Sequence, residues 1–200
     1  MSSLAVTHEL GSIELPSPRW ERATSLLQIL AKRHSSREFS PRALPLEVLS
    51  TLLWAAFGIN RPRSGGRSAP SAHNWQEIEV FAVLADGAYR YDATAHALRT
   101  VKTGDLRALT GLQDFVGGAP LDLVYVADFA KMSDATDEQR IFYASADAAV
   151  IAQNVYLFCA CTDLATVVRG LVDRHKLAPA LGLAVHERIV LAQTVGYPAR

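Results

Sequence analysis

Cysteine is scarce in this sequence, net charge is absent, and no uncharged apolar run is long enough to cross a bilayer. Each shortage excludes something. With 2 cysteines in 200 residues, no disulfide framework carries the fold, and a reducing, cytoplasmic setting is expected. Those two, Cys159 and Cys161, are two residues apart. On a helix they point in different directions, so they neither chelate a metal together nor pair with each other, and read as small buried thiols. Lys and Arg number 20, as do Asp and Glu. Without a global positive field, neither nucleic acid nor an anionic membrane is expected as a partner, and a small molecule is. The most apolar long stretch covers residues 144–168, with Asp147 and Asp163 bounding its uncharged part. It is too short to span a membrane and predicts a buried helix. The opening MSSLAVTHELGSIELPSPRW has no basic start followed by an apolar run, so it does not read as a secretory signal.

Several chemistries are excluded by missing motifs. No G-x-G-x-x-G follows a strand, and no G-x-x-x-x-G-K-[ST] phosphate loop, H-E-x-x-H zinc helix or G-x-S-x-G nucleophile elbow occurs. The 6 histidines are scattered without ligand spacing, so no metal site is expected.

What is present is an ordinary globular composition, 50% hydrophobic and 20% charged, in a chain of one-domain length. A single domain over 1–200 is expected, with 1–20 as an extended amino-terminal arm that Pro16 and Pro18 keep from being helical. Apolar positions Ala23, Leu26, Leu27 and Leu30 predict a helix from Glu21 to Lys32. A second helix is predicted from Pro45, a natural first-turn residue, carrying Leu49, Leu52, Leu53 and Ala56 on one face and stopping at Gly58. Residues 60–74, rich in Gly, Pro and Ser, predict a loop. Strands are predicted at 78–84, in the DGAYRYD segment, at 97–101, at 121–127, at 165–168 and at 189–194. Helices are predicted at 105–115, 137–161 and 177–181. The order specifies a mixed α+β class.

Two short clusters carry chemistry. Lys32-Arg33-His34-Ser35-Ser36-Arg37-Glu38-Phe39 places guanidinium groups and hydroxyls where a helix ends, which is what a phosphomonoester requires. Basic residues at a helix carboxyl end also complement its dipole with no ligand at all. Ala69-Pro70-Ser71-Ala72-His73-Asn74-Trp75-Gln76 is a polar loop feeding a strand, and by itself says little more.

In this order and spacing the two clusters resemble the FMN-dependent nitroreductase superfamily. There K-R-H-S-x-[KR]-x-F follows the first helix, and P-S-x-x-N-x-Q follows the second. The likeness runs from Arg22 to Arg200, through the long apolar helix, Gly170 within TVVRGLVD and the closing Gly196-Tyr197-Pro198. LLWAAFGIN and DGAYRYDATAHAL look closer to the subgroup of azoline-forming peptide dehydrogenases. The Asn and Lys that other members place after the first strand to contact the flavin are missing, because that segment reads as a β-hairpin.

The resemblance implies a nitroreductase-like fold, a central mixed or antiparallel sheet flanked by helices, in an intertwined homodimer with FMN at the subunit interface. It implies that Arg33 and Ser35 hold the FMN phosphate with His34 nearby, and that Arg37 sits by the N1/O2 edge. It implies that Pro70, Ser71, Ala72 and Asn74 reach the flavin from the partner, and that the backbone around Val168, Arg169 and Gly170 faces N5. Arg200 supplies a basic group at the chain end. Flavin carries the chemistry, so no catalytic side chain is expected. The implied reaction is ping-pong hydride transfer from NAD(P)H to an electron-poor acceptor such as a nitro or quinone compound. Two alternatives stay open: a dehydrogenase of a tailoring pathway that uses oxygen as acceptor, and a non-catalytic flavin-binding protein. Trp54, Phe142 and Tyr143 are expected to pack in the core, and Gln153 and Asn154 to be satisfied at a subunit contact.

Overall fold

The computed structural model describes residues 11–19 and 24–199. Glu21 and Ala23 of the first expected helix, most of the expected arm, and Arg200 lie outside them. Helix α1, Leu26–Lys32, starts at a capping box: Ser25 Oγ accepts from the Gln28 amide at 3.3 Å, and the Gln28 side chain accepts from the Ser25 amide at 3.1 Å. Ser25 itself is extended, so the helix begins later than Glu21. The cap decides the start over the apolar periodicity. None of the α1 residues is buried; Leu26, Leu27 and Leu30 all face outward.

Helix α2, Leu46–Phe57, buries Leu49, Leu52, Leu53 and Ala56 as its spacing predicts, and ends at Gly58. The expected loop at 60–74 contains a small hairpin, β2 (Ile59–Arg61) with β3 (Gly66–Arg67). Gly65, at φ +68°, makes its turn.

The main sheet has seven strands. They are β1 (Ser12–Glu14), β4 (Ile78–Val83), β5 (Gly87–Asp92), β6 (Ala97–Thr103), β7 (Leu121–Asp128), β8 (Ala165–Arg169) and β9 (Glu187–Gly196). Their order is β1-β6-β5-β4-β7-β9-β8 and every pairing is antiparallel. Strand β7 lies mid-sheet and is covered on both faces, which explains its unbroken apolar run. Leu121, Leu123, Tyr125 and Ala127 face one core, and Val124 and Val126 face the other.

Helix α3, Asp137–Thr162, covers the first face with Ala144, Ala148, Ile151, Val155 and Cys159. By length and composition it could cross a membrane, but its buried stripe packs on the sheet. A Thr136–Gln139 capping box opens it, and Asp163 in a left-handed conformation closes it. Asn154 is satisfied inside the chain rather than at a subunit contact: its amide donates to the carbonyls of Ala55, Ala56 and Ser68 at 3.1–3.4 Å. That bond set welds α3 to the end of α2. Gln153 is exposed.

The other face is covered by α4, Arg174–Ala180, through Leu177, and by Leu181 just beyond it. The helix expected at 105–115 does not form. Two 3-10 turns, Arg107–Leu109 and Val116–Gly118, stand there instead. The Thr110 carbonyl accepts from Arg169 Nη1 at 2.8 Å, and the Leu112 amide donates to the Leu171 carbonyl at 3.3 Å. Those tertiary bonds take backbone groups that a helix would need. Gly111 between them has no room for a side chain, since a Cβ would lie 1.9 Å from Arg169 Nη1.

Arg169 and Asp122 form an ion pair at 2.8 Å with side chains 1% and 0% exposed. Removing one partner of such a pair leaves the other charge buried alone. Asp122→Ala should therefore cost about 3–5 kcal/mol in urea unfolding. A loss below ~1 kcal/mol would show that water reaches the pair.

Candidate functional site

The first cluster leaves α1 when the Arg33 amide makes the last helical bond, to the Ile29 carbonyl at 2.9 Å. The chain then runs extended beside β8 and the carboxyl end. Ser36 N donates to the Thr166 carbonyl, Ser40 N to the Tyr197 carbonyl, and Ala199 N returns to the Glu38 carbonyl. These contacts place residues 33–40 against the edge strand of the sheet.

Tyr156 of α3 is the junction. Its hydroxyl is 2.8 Å from Ser35 Oγ and accepts from the Val168 amide at 3.0 Å. The Arg33 guanidinium lies 5.3 Å from the centre of its ring, a cation–π distance. One buried side chain thus sets Arg33, Ser35 and the 168–170 backbone side by side. Val168 spends its amide on this bond. Arg169 turns its side chain inward to Asp122, Thr110 and Thr194, so only its backbone is available to a ligand. Gly170 is exposed, and a Cβ added there would meet nothing within 4 Å. His34 is exposed, with Nδ1 2.8 Å from the Lys32 carbonyl. Arg37 is exposed and its guanidinium has no hydrogen bond or ion pair among the described residues. Arg200 lies outside them.

The second cluster is a braced turn. His73, Asn74 and Gln76 all have positive φ, at 50°, 56° and 49°. Left-handed backbone is uncommon for such residues and must be held. Arg67 Nε donates to Gln76 Oε1 at 2.8 Å, the Gln76 side chain donates to Asn74 Oδ1, and Trp75 Nε1 donates to Asp134 at 2.9 Å. Ser71 Oγ accepts from the Gln76 amide at 2.8 Å and donates to Glu77 Oε2 at 3.1 Å. The Ala72 amide donates to Asp147 Oδ2 at 2.8 Å. Ser71 Oγ and the Ala72 amide thus have partners inside the chain, while Pro70, His73 and Asn74 are exposed.

The anchors of the two clusters, Asp147 and Tyr156, are nine residues apart on α3. That separation is about 14 Å along the axis and about half a turn around it. Within one chain the anchors of the two clusters are thus set apart along α3.

Aromatic rings flank the turn. His73 stacks on Trp75 at 4.4 Å, and Tyr143 meets both edge-on at 5.7 Å. Phe142, expected in the core, is 65% exposed. Tyr143 and Trp54 are half-buried, with Trp54 Nε1 donating to the Ile59 carbonyl at 3.1 Å.

Tyr156, Asp147 and Glu77 were not singled out from sequence as site residues. A carboxylate and a phenol inside an apolar helix are visible there, but their partners are more than seventy residues away in sequence.

A sequence profile of the Nitroreductase family matches residues 30–197. The chain belongs to the nitroreductase family. A relative in Methanocaldococcus jannaschii that carries the nitroreductase name is 30% identical over 155 residues, 72% of this chain and 78% of that one. A nitroreductase-type crystal structure from Ralstonia eutropha JMP134 is 42% identical, covers 98% of this chain and 93% of its own, and superposes with a TM-score of 0.90. Two more distant structures share the fold. One is the Escherichia coli microcin synthetase McbBCD with truncated pro-MccB17 bound (TM-score 0.72, 20% identity, 100% of this chain and 84% of that one). The other is from Desulfovibrio desulfuricans, solved in complex with FMN (0.64, 22%, 90% and 89%). As a family member the chain is an oxidoreductase.

In this nitroreductase one titratable group bonded to the second cluster is Glu77, fully buried. Burial, and then the Asp147 carboxylate, push its pKa up to about 7 against the opposing bonds from a backbone amide and Ser71. The folded state therefore keeps a proton that the unfolded chain releases near the ordinary carboxylate value. Stability should fall as pH rises from that value to about 7, then level off. Glu77→Gln has no such proton to lose. It should melt higher than wild type above neutrality, with the gap closing in acid. A gap that widens toward acid would refute this assignment.

Proposed function

We propose that this nitroreductase binds FMN between the two subunits of a homodimer and uses it to pass hydride from NAD(P)H to an electron-poor acceptor such as a nitro or quinone compound. The observation that carries the reading is the Tyr156 junction, which gathers Arg33, Ser35 and the backbone leading to exposed Gly170 on one edge. Those residues fit the group. Ser35 is exposed beside an arginine, suiting a phosphate, and the space over Gly170 is open. The FMN in the Desulfovibrio structure supports the same cofactor here. Bound FMN accepts and returns hydride at N5, which leaves no nucleophile or acid–base side chain to be supplied.

The chain's own residues bind and tune. Arg33 and Ser35 hold the phosphate, with His34 beside them. Arg37, uncommitted among the described residues, lies by the N1/O2 edge, where fixed positive charge favours the reduced form. Pro70, Ser71, Ala72 and Asn74 reach in from the other subunit. The separation of the two clusters on α3 supports a shared site, as do the exposed apolar residues Leu26, Leu27 and Leu30 of α1 and Ile141, Phe142 and Val150 of α3. Arg200 adds a basic group at the chain end. Neither cysteine is in a disulfide among the described residues, in keeping with a reducing cytoplasm.

A dehydrogenase of a tailoring pathway, using oxygen as acceptor, is the second reading. It is favoured by the β5–β6 hairpin, which occupies the segment where other members carry the flavin-contacting Asn and Lys. Anaerobic reduction by NAD(P)H separates the two: fast reduction supports the first, and slow reduction the second.

Purified protein should be yellow and bind FMN more tightly than FAD; tighter FAD binding would end the FMN reading. Arg37→Ala should lower the flavin potential by about 30–60 mV, since charge-assisted bonds contribute about 1.5–3 kcal/mol and about 30 mV corresponds to about 1.4 kcal/mol for two electrons. An unchanged potential with flavin still bound would remove Arg37 from that edge. Subunits carrying Arg37→Ala and Asn74→Trp, each inactive alone, should regain up to about half the activity per mixed dimer, because both lesions then share one site. Mixed dimers confirmed by mass yet inactive would rule out the shared site.

A further inference from the structure

The polar pocket under residues 71–76 contains two carboxylates. Glu77 is 0% exposed and Asp147 is 6% exposed. Glu77 Oε2 accepts from Ser71 Oγ and Asp147 Oδ2 accepts from the Ala72 amide. Glu77 Oε1 has no hydrogen-bond donor in the described structure, and the two carboxylates meet side by side because they hold the adjacent residues Ser71 and Ala72. Two buried carboxylates this close resist being ionised together, and one proton between them supplies the missing donor.

Among the described residues no nearby cation takes that place. Arg67, on β3, is committed to Gln76 Oε1 and the Phe57 carbonyl. Lys131, beyond β7, is committed to the Gln76 carbonyl and the Glu79 carboxylate. His73 is exposed and stacked on Trp75, and Asp134 is held by the Trp75 indole. The pair is therefore balanced by a proton alone.

We propose that Glu77 and Asp147 are positioning residues for the cofactor loop: a proton shared between them holds Ser71 and Ala72 in place, and its loss frees residues 71–76 and weakens flavin binding. The link to flavin rests on the placement of this loop under Proposed function. The link to the loop rests on the hydrogen bonds alone. Ionising both groups puts two negative charges against each other beneath a turn whose left-handed residues need holding. Burial and Asp147 place the proton's release near neutrality, at about 7.

The test has two arms, each comparing wild type with Glu77→Gln, which keeps a donor toward Asp147 at every pH. In cofactor-free protein, hydrogen–deuterium exchange of the peptide covering 71–77, corrected for intrinsic rates, reads the loop directly. Wild-type protection should fall by about tenfold per pH unit above the release point, while Glu77→Gln stays flat. In the second arm, the ratio of wild-type to Glu77→Gln Kd for FMN should be near one at about pH 5.5 and near tenfold at about pH 8. Asp147→Asn should reproduce the flat profile and stands in if Glu77→Gln fails to fold. Wild-type protection that ignores pH, or a Gln variant that loses protection in parallel, overturns the proposal. Protection that titrates while the Kd ratio stays at one removes the pair from cofactor positioning and leaves FMN binding intact. No FMN binding by either protein at any pH would instead refute the proposed function.

Discussion

The buried Arg169 guanidinium is the constraint around which the far end of the sheet is arranged. It offers five N–H donors in a rigid fork and cannot lose its charge, so burial obliges the surroundings to supply acceptors. They come from three other segments: Asp122 on β7, Thr194 on β9, and Thr110 in the segment between β6 and β7. Asp122 also accepts from the Thr194 hydroxyl, which closes the network. Because Arg169 is the last residue of β8 and is pinned inward, the chain emerges at the surface at Gly170 in one fixed place. A buried ion pair is weak support for stability in general. Here its consequence is positional: the backbone proposed to face the flavin follows directly on a rigid support.

Helix α3 does the corresponding work for everything else at the site. Its sheet-facing residues fix it to the core, which leaves its polar residues at set points along a straight rod. Asp147 holds the turn at 71–76 and Tyr156 holds the 33–37 segment. Asn154 ties the rod to α2. With the two site clusters on opposite sides of one rod, a ligand touching both kinds of residue is served best where two rods meet. That placement is what the shared site proposed above rests on.

Much of this was legible in the sequence, and the failures have physical causes. Strand β7, helix α2 and helix α3 followed from apolar runs and periodicity because their neighbours merely required an apolar surface. The helix expected at 105–115 failed because its backbone bonds go to Arg169 and Leu171, which a local reading cannot see. The start of α1 was misread although its signal was present, in Ser25 and Gln28 at capping-box spacing. Asn154 was assigned to a subunit contact because a polar residue in an apolar helix needs a partner, and the partner proved to be the end of α2. The two site clusters were visible as motifs. The residues that hold them, Tyr156, Asp147 and Glu77, were not, because each gains its meaning from a distant segment.

The two halves of the site also differ in readiness. Holding His73, Asn74 and Gln76 in left-handed backbone costs on the order of 1 kcal/mol or more each. The chain offsets that cost internally through Arg67, Asp134, Glu77 and Asp147. The turn is therefore formed before any ligand arrives, and binding need not bear its ordering entropy. Arg37 is the opposite case, an exposed side chain with no hydrogen bond or ion pair among the described residues, whose rotamer freedom must be surrendered when it engages an anion. A rigid turn that presents shape and a mobile cation that supplies charge divide the labour. Errors of geometry in the turn should weaken binding of the oxidised and reduced cofactor alike, whereas changes at Arg37 should separate the two.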